Sequence, residues 1–381
     1  MSISQGLQRG FQIVDASELQ LMLKGGGCMR TKPCLGWRAM LLPIVGALGA
    51  PCAWTAVPES VACGTPAPTS GTYTMLHGGL TRTYRLSMPS AYDPHRPARL
   101  ILVFHGWGGD ETEFLNDASV LGESSRRGYV LVAPRGIGSG LPDNSNNSWT
   151  FRGSDTGDVM QGRKVTPVCD TSITPDYTYP SCKKGRARNT CSWTQCQDED
   201  IEFVKALVEH LKRTLCIDTR HVFAAGGSNG GMFTWELGQN PKTAPMLRAI
   251  APIIGLPHRG DLRPPGRRGG LPVIVTTGVS DPVVPPGNWD DEGYTTTSNG
   301  RDRFYYTGAT AIVKHWAQAK GCPIAGKERP FNTGYAAADC RSYCAATDRA
   351  WPEVLDCRAQ MGHDYELSWS WKLILDFFDR L

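Results

Sequence analysis

Residues 221–232 read His-Val-Phe-Ala-Ala-Gly-Gly-Ser-Asn-Gly-Gly-Met. They set Ser228 in a Gly-x-Ser-x-Gly frame, after a short apolar run and before a segment able to form a helix. A chain with 43 glycines makes such a frame easily, so the context carries the reading. A serine on a tight strand-to-helix turn is held in a strained conformation with its hydroxyl exposed at the end of a sheet. Flanking glycines let the turn pass close to neighbouring backbone, where a Cβ has no room. Ser228 therefore reads as a nucleophile, and the chemistry it offers is acyl transfer.

A lone serine is a weak nucleophile, and this kind of turn takes partners in the chain order serine, acid, histidine. Of eight histidines, His315 and His363 lie well downstream. His315 sits in Ala-Ile-Val-Lys-His-Trp-Ala-Gln-Ala, residues 311–319, whose spacing predicts a helix face. His363 follows an apolar run on a Gly-His turn, where an imidazole can reach a serine. It is the expected base. The expected acid is Asp281, delivered by the apolar run Leu271 to Thr277 just past Gly278. It would hold the imidazole tautomer and stabilise the imidazolium. Its other reading is a turn cap before Pro282. Asp290, Asp291, Glu292 and Asp302 compete, but none follows a strand so directly.

An oxyanion needs two preorganised donors. One is the N–H after the nucleophile, on Asn229, and the other comes from an earlier loop. Leu100 to Phe104 is a buried-type strand that runs into His-Gly-Trp-Gly-Gly, residues 105–109, and Trp107 is the expected second donor. His105 precedes the serine and reads as a structural hydrogen-bonding residue of that loop. Such a cycle needs no metal and no organic cofactor. A zinc site is disfavoured because the cysteines are irregularly spaced and lack a histidine pair. The triplet Asp198-Glu199-Asp200 reads as helix-cap and dipole chemistry rather than a cation site.

The ordered set His105-Gly-Trp-Gly-Gly, Gly226-Gly-Ser-Asn-Gly-Gly-Met, Gly278-Val-Ser-Asp-Pro-Val-Val-Pro and Gly362-His resembles the secreted esterase family that holds feruloyl esterases and polyhydroxybutyrate depolymerases. The stretches 191–200 and 215–220 resemble it too, and the likeness runs from about Tyr73 to Leu381. The resemblance implies an α/β-hydrolase fold and carboxylic-ester hydrolysis, with Ser228, His363 and Asp281 catalytic. It does not choose the ester. Feruloyl esters of plant cell-wall polysaccharide are favoured, with polyester depolymerisation and acetylxylan de-esterification as alternatives. A binding protein on a dead hydrolase scaffold is disfavoured, because every triad position is filled. Gly140 to Cys196 and Asn288 to Arg303 are long and individual, and would set substrate preference.

The elements that must position these residues follow from pattern. Residues 72–77 and 81–88 alternate around Gly78-Gly79, which predicts a hairpin. Strands are expected near 100–104, 129–132, 248–254 and 272–276. Ile201, Val204, Leu207, Val208 and Leu211 recur at helical spacing behind an Asp198 or Asp200 cap, and residues 371–378 form a closing helix. Strands alternating with helices give a mostly parallel sheet covered on both faces. Hydrophobic content of 40% supports a full core, and residues 54–381 read as one catalytic domain. A net charge of +4, mostly from residues 1–53, gives no support to nucleic-acid binding.

Residues 29–38 are basic, and 39–50 are apolar and end in small residues. That is a secretory signal peptide, too short to span a membrane, with Met29 as the true start and 1–53 as extension plus leader. Export suits the cysteines. Ten of the 13 lie beyond the leader and read as up to five disulfides, paired locally within Cys169–Cys216 and within Cys322–Cys357. Between Gly140 and Thr194 the chain is rich in polar residues, Pro and Gly. It reads as a disulfide-pinned loop whose Trp149, Phe151, Tyr177, Tyr179 and Trp193 either stack on substrate or pack beneath the loop.

Overall fold

The computed structural model describes residues 60–138, 146–151, 168–174, 199–259, 270–290, 294–296, 303–322, 328–344 and 351–381. The leader, Cys182, Cys191, Cys196, Tyr177, Tyr179, Trp193, Asp198, Asp291, Glu292 and Asp302 lie outside the described residues.

The chain opens with the expected hairpin, β1 (Gly71–His77) and β2 (Leu80–Ser87). Gly78 and Gly79 have φ of 61° and 82°, as a two-residue turn of type I′ demands. There follow β3 (Ala98–Phe104), α1 (Ala118–Arg126), β4 (Tyr129–Pro134), α2 (Glu199–Thr214), β5 (Ile217–Gly227), α3 (Asn229–Gln239), β6 (Ala249–Ile253) and β7 (Val273–Gly278). Then come the short β8 (Tyr294–Thr296) and β9 (Tyr305–Thr307), α4 (Ala309–Ala319), β10 (Arg329–Pro330), β11 (Ala338–Ser342), β12 (Val354–Ala359) and α5 (Leu367–Phe378).

Ten strands form one sheet in the order β1-β2-β4-β3-β5-β6-β7-β12-β11-β10. The six from β4 to β12 run parallel, and antiparallel strands close both edges. Strand alternation divides the core. Leu100, Leu102 and Phe104 face Phe203 and Leu207 of α2, Phe233 and Trp235 of α3, and Trp316 of α4. Ile101 and Val103 face the other way, toward Val120 of α1 and Trp371, Ile374 and Phe378 of α5. This is the α/β-hydrolase architecture: a mostly parallel sheet with helices on both faces. No helix among the described residues is long and apolar enough to cross a membrane. His315 lies on α4, as its spacing predicts.

One expectation needs correction, and two open readings are narrowed. Cys216 does not pair within its own cluster; it pairs with Cys63, 153 residues away. Ser60 explains this. Its N–H donates to Ile217 O at 3.1 Å, and its Oγ accepts from Ile217 N at 3.0 Å, so the leading segment lies beside the start of β5. The later cysteines do pair locally, Cys322 with Cys344 and Cys340 with Cys357, the second across β11 and β12.

Of the two candidate caps for α2, Asp200 is not one. It lies inside α2, fully buried, with its carboxylate 2.8 Å from the guanidinium of Arg82. Of the two roles open to the aromatics of this stretch, Trp149 and Phe151 take the packing one. Both are buried, and Trp149 stacks on Phe233 at 5.1 Å.

Candidate active site

β5 ends at Gly227, α3 begins at Asn229, and Ser228 forms the corner with φ 51° and ψ −116°. A non-glycine residue in that region costs about 1–3 kcal/mol, so the surroundings must over-determine it. They do. Ser228 N–H donates to Ile253 O on the adjacent β6, and Ser228 O accepts from Met232 N–H in α3, both at 2.9 Å. Gly230 lets α3 start this close to the sheet, because a Cβ there would lie 2.1 Å from Phe104 O.

The strand ends bring the two other singled-out residues to this corner. His363 lies in the loop after β12, with Nε2 3.0 Å from Ser228 Oγ. Asp281 lies in the loop after β7, with Oδ2 2.8 Å from His363 Nδ1. The parallel pairing of β7 and β12 places both loops at the same end of the sheet. The Asp281 side chain is fully buried, while that of His363 stays partly open to solvent. Asp281 makes the contacts of both readings that its sequence allowed. Oδ1 accepts from Val283 N–H at 2.7 Å and Val284 N–H at 2.9 Å, capping the turn, which leaves Oδ2 for the imidazole. Among the competing carboxylates, Asp290 is exposed on the surface beyond this turn.

The loop after β3 faces the same corner. Gly106 lies against the serine: a Cβ added there would sit 3.5 Å from Ser228 Cβ. Gly106 O accepts from Gly109 N–H at 3.1 Å and from His105 Nδ1 at 2.7 Å. A peptide unit is planar and trans, so a carbonyl held on one side directs the Trp107 N–H to the other. His105 Nε2 accepts from Gly136 N–H at 2.8 Å. That acceptor role fixes the tautomer with the proton on Nδ1. Asn229 is the first residue of α3, where the helix itself leaves an N–H without an intrahelical acceptor.

No protein-family model matches the chain. Feruloyl esterase C of Emericella nidulans is 24% identical over 255 residues, 65% of this chain and 71% of that protein. Feruloyl esterase D of Neurospora crassa is 29% identical over 177 residues, 46% of each chain. The solved acetyl xylan esterase of Aspergillus awamori superposes with a TM-score of 0.48 at 10% identity, covering 82% of this chain and all of that one. The chain is similar to feruloyl esterases, and it is a carboxylic ester hydrolase.

Several side-chain contacts that shape the esterase's site carried no signal in the sequence. The Asn229 side chain accepts from Ser148 Oγ at 3.0 Å and Trp149 N–H at 2.8 Å, so it docks the 146–151 segment onto the serine turn. That segment also straps the loop after β3. Asn147 O accepts from Gly108 N–H at 2.8 Å, and Trp149 Nε1 donates to His105 O at 3.0 Å. Below it, Asp200 Oδ2 accepts from Thr150 N–H at 2.9 Å and Thr150 Oγ1 at 2.7 Å. The one sequence clue was a surplus of acid at the start of α2, more than a cap requires.

Burial pushes the His105 imidazole down to about 4. The unfolded chain protonates near 6.5, so between these values the unfolded state binds more protons and stability falls as pH falls. This group alone is expected to remove about 3 kcal/mol between pH 7 and below pH 4. Urea unfolding of wild type and His105→Gln across pH 4–7 checks this. The variant should be less stable at pH 7 and show a shallower loss toward pH 4. Parallel curves would show that His105 protonates freely in the folded state.

Proposed function

We propose that the esterase cleaves hydroxycinnamoyl esters of plant cell-wall polysaccharide outside the cell, with Ser228, His363 and Asp281 as its catalytic residues. The observation that carries the catalytic part is the unbroken chain from buried Asp281 through His363 to Ser228 on a strained turn. Ser228 Oγ attacks the ester carbonyl while His363 Nε2 takes its proton. Asp281 holds the Nδ1–H tautomer and stabilises the imidazolium. The Trp107 and Asn229 N–H groups receive the oxyanion. His363 then protonates the leaving alcohol, and water, deprotonated by the same imidazole, releases the acid and frees Ser228.

The names of the Emericella and Neurospora relatives support the hydroxycinnamoyl ester. The disulfides support an oxidising compartment. We place the export leader in residues 1–53 and the catalytic domain in 54–381. Two measurements test the reading. A serine-directed phosphonate should add once, at Ser228, and Ser228→Ala should lose ester turnover with its unfolding curve unchanged. Labelling elsewhere would overturn the site. Methyl ferulate should outrun acetylated xylan and polyhydroxybutyrate, and a reversed order would overturn the substrate.

A further inference from the structure

Glu113 and Tyr365 do no chemistry in this mechanism, yet they sit beneath it. Glu113 lies in the loop between β3 and α1, and its Oε1 accepts from Gly106 N–H at 2.9 Å. The Tyr365 hydroxyl interacts with the Glu113 carboxylate and lies against the same Gly106. Tyr365 comes two residues after His363, and its ring stacks on Phe114 at 5.2 Å and 8°.

Glycines make room for the pair. A Cβ on Gly227, the residue before the serine, would lie 2.2 Å from the Tyr365 ring. One on Gly106 would lie 2.5 Å from the Tyr365 hydroxyl, and one on Gly109 would lie 1.8 Å from Glu113 Oε2. The two side chains therefore join the oxyanion loop, the serine turn and the histidine loop, three segments far apart in sequence. Burial raises the Tyr365 hydroxyl well above 10 and raises Glu113 above the usual carboxylate range. A buried tyrosine hydroxyl and a buried carboxylate both need polar neighbours, and each is one for the other.

We propose that Glu113 and Tyr365 are positioning residues of the oxyanion hole. The carboxylate fixes the Gly106 N–H, and the carbonyl of the same residue is fixed by His105 and Gly109. Both ends of Gly106 are then held, so the next amide, that of Trp107, keeps its aim at the developing oxyanion. Donors act on the transition state only if they need no reorganisation when charge appears. This rests on the assignment of Ser228 and Trp107 above.

Tyr365→Phe removes one oxygen and keeps the stacked ring. Turnover of a p-nitrophenyl ester is expected to fall about tenfold to a hundredfold, with KM within about threefold of wild type. Glu113→Leu should fall by at least as much, and Glu113→Gln, which keeps an acceptor for Gly106 N–H, should restore most of that loss. The double variant Tyr365→Phe/Glu113→Leu should be little worse than the worse single variant. Phosphonylation of Ser228 should slow in parallel with kcat, because the phosphonyl oxygen occupies the oxyanion hole. Lowered melting temperatures with unchanged kcat and unchanged phosphonylation would overturn the proposal and leave a purely structural pair. Ser228→Ala, run alongside, separates the two readings: if it stays active, the site assignment fails and the positioning role falls with it.

Discussion

His363→Ala is expected to lower turnover of a p-nitrophenyl ester by at least about 10⁴, and Asp281→Asn by about 10⁴, with folding intact in both. The Asp281 effect has a geometric cause. Oδ2 accepts from His363 Nδ1–H at 2.8 Å, which leaves Nε2 as the acceptor facing Ser228 Oγ at 3.0 Å. An amide at 281 can present its N–H₂ to the ring and favour the opposite tautomer, in which Nε2 carries the proton and cannot take one from serine. Such an amide would not disturb the turn if its oxygen still received the Val283 and Val284 N–H groups. The loss should therefore fall on kcat and leave the unfolding transition unmoved. The double variant should be little worse than His363→Ala, because the residues act as one unit. Asp290→Asn should be mild. Steady-state kinetics of the four variants checks this, and a near-normal Asp281→Asn would place the acid elsewhere.

Arg82→Met is expected to destabilise the fold by about 3–5 kcal/mol, because it leaves the Asp200 carboxylate buried without its cation. The Arg82 guanidinium also lies over the Phe203 ring, 3.7 Å from its centroid, so the substitution removes packing as well as charge. Asp200 Oδ2 holds Thr150, and that segment docks on the Asn229 side chain at the serine turn. The loss should thus reach the site, lowering kcat even where the protein remains folded. Replacing both partners, as in Arg82→Met/Asp200→Leu, should recover much of the stability but not the rate, since Thr150 still lacks its acceptor. Chemical unfolding and kinetics on the two variants test this. An Arg82→Met variant as stable as wild type would show that water reaches the carboxylate.

The sequence by itself determined the features that depend on near neighbours. Alternation in residues 72–77 and 81–88, with two glycines between, specifies a hairpin, because a type I′ turn needs positive φ at both central positions. Gly-Gly-Ser-Asn-Gly-Gly between an apolar run and a helix specifies a sharp strand-to-helix corner, because only glycine fits beside it. Asp281 and His363 were legible for a related reason. Parallel strands all end on the same side, so loops that follow them must converge, and Asp281 and His363 each come just after such a strand.

Only the tertiary structure decided what depends on residues far apart in the chain. Cys216 had a local cluster to pair within, yet Ser60 brings Cys63 beside it. Asp200 resembled a helix cap until Arg82, from the second strand, met it inside the core. Trp149 could have faced substrate, but Phe233 and Phe104 receive it instead. Glu113 and Tyr365 are 252 residues apart by their numbers and carry no shared motif. The physical reason is common to all four. Turn chemistry and hydrophobic period are properties of a few adjacent residues, whereas a buried charge, a thiol or an indole is assigned its partner by where the sheet order puts it.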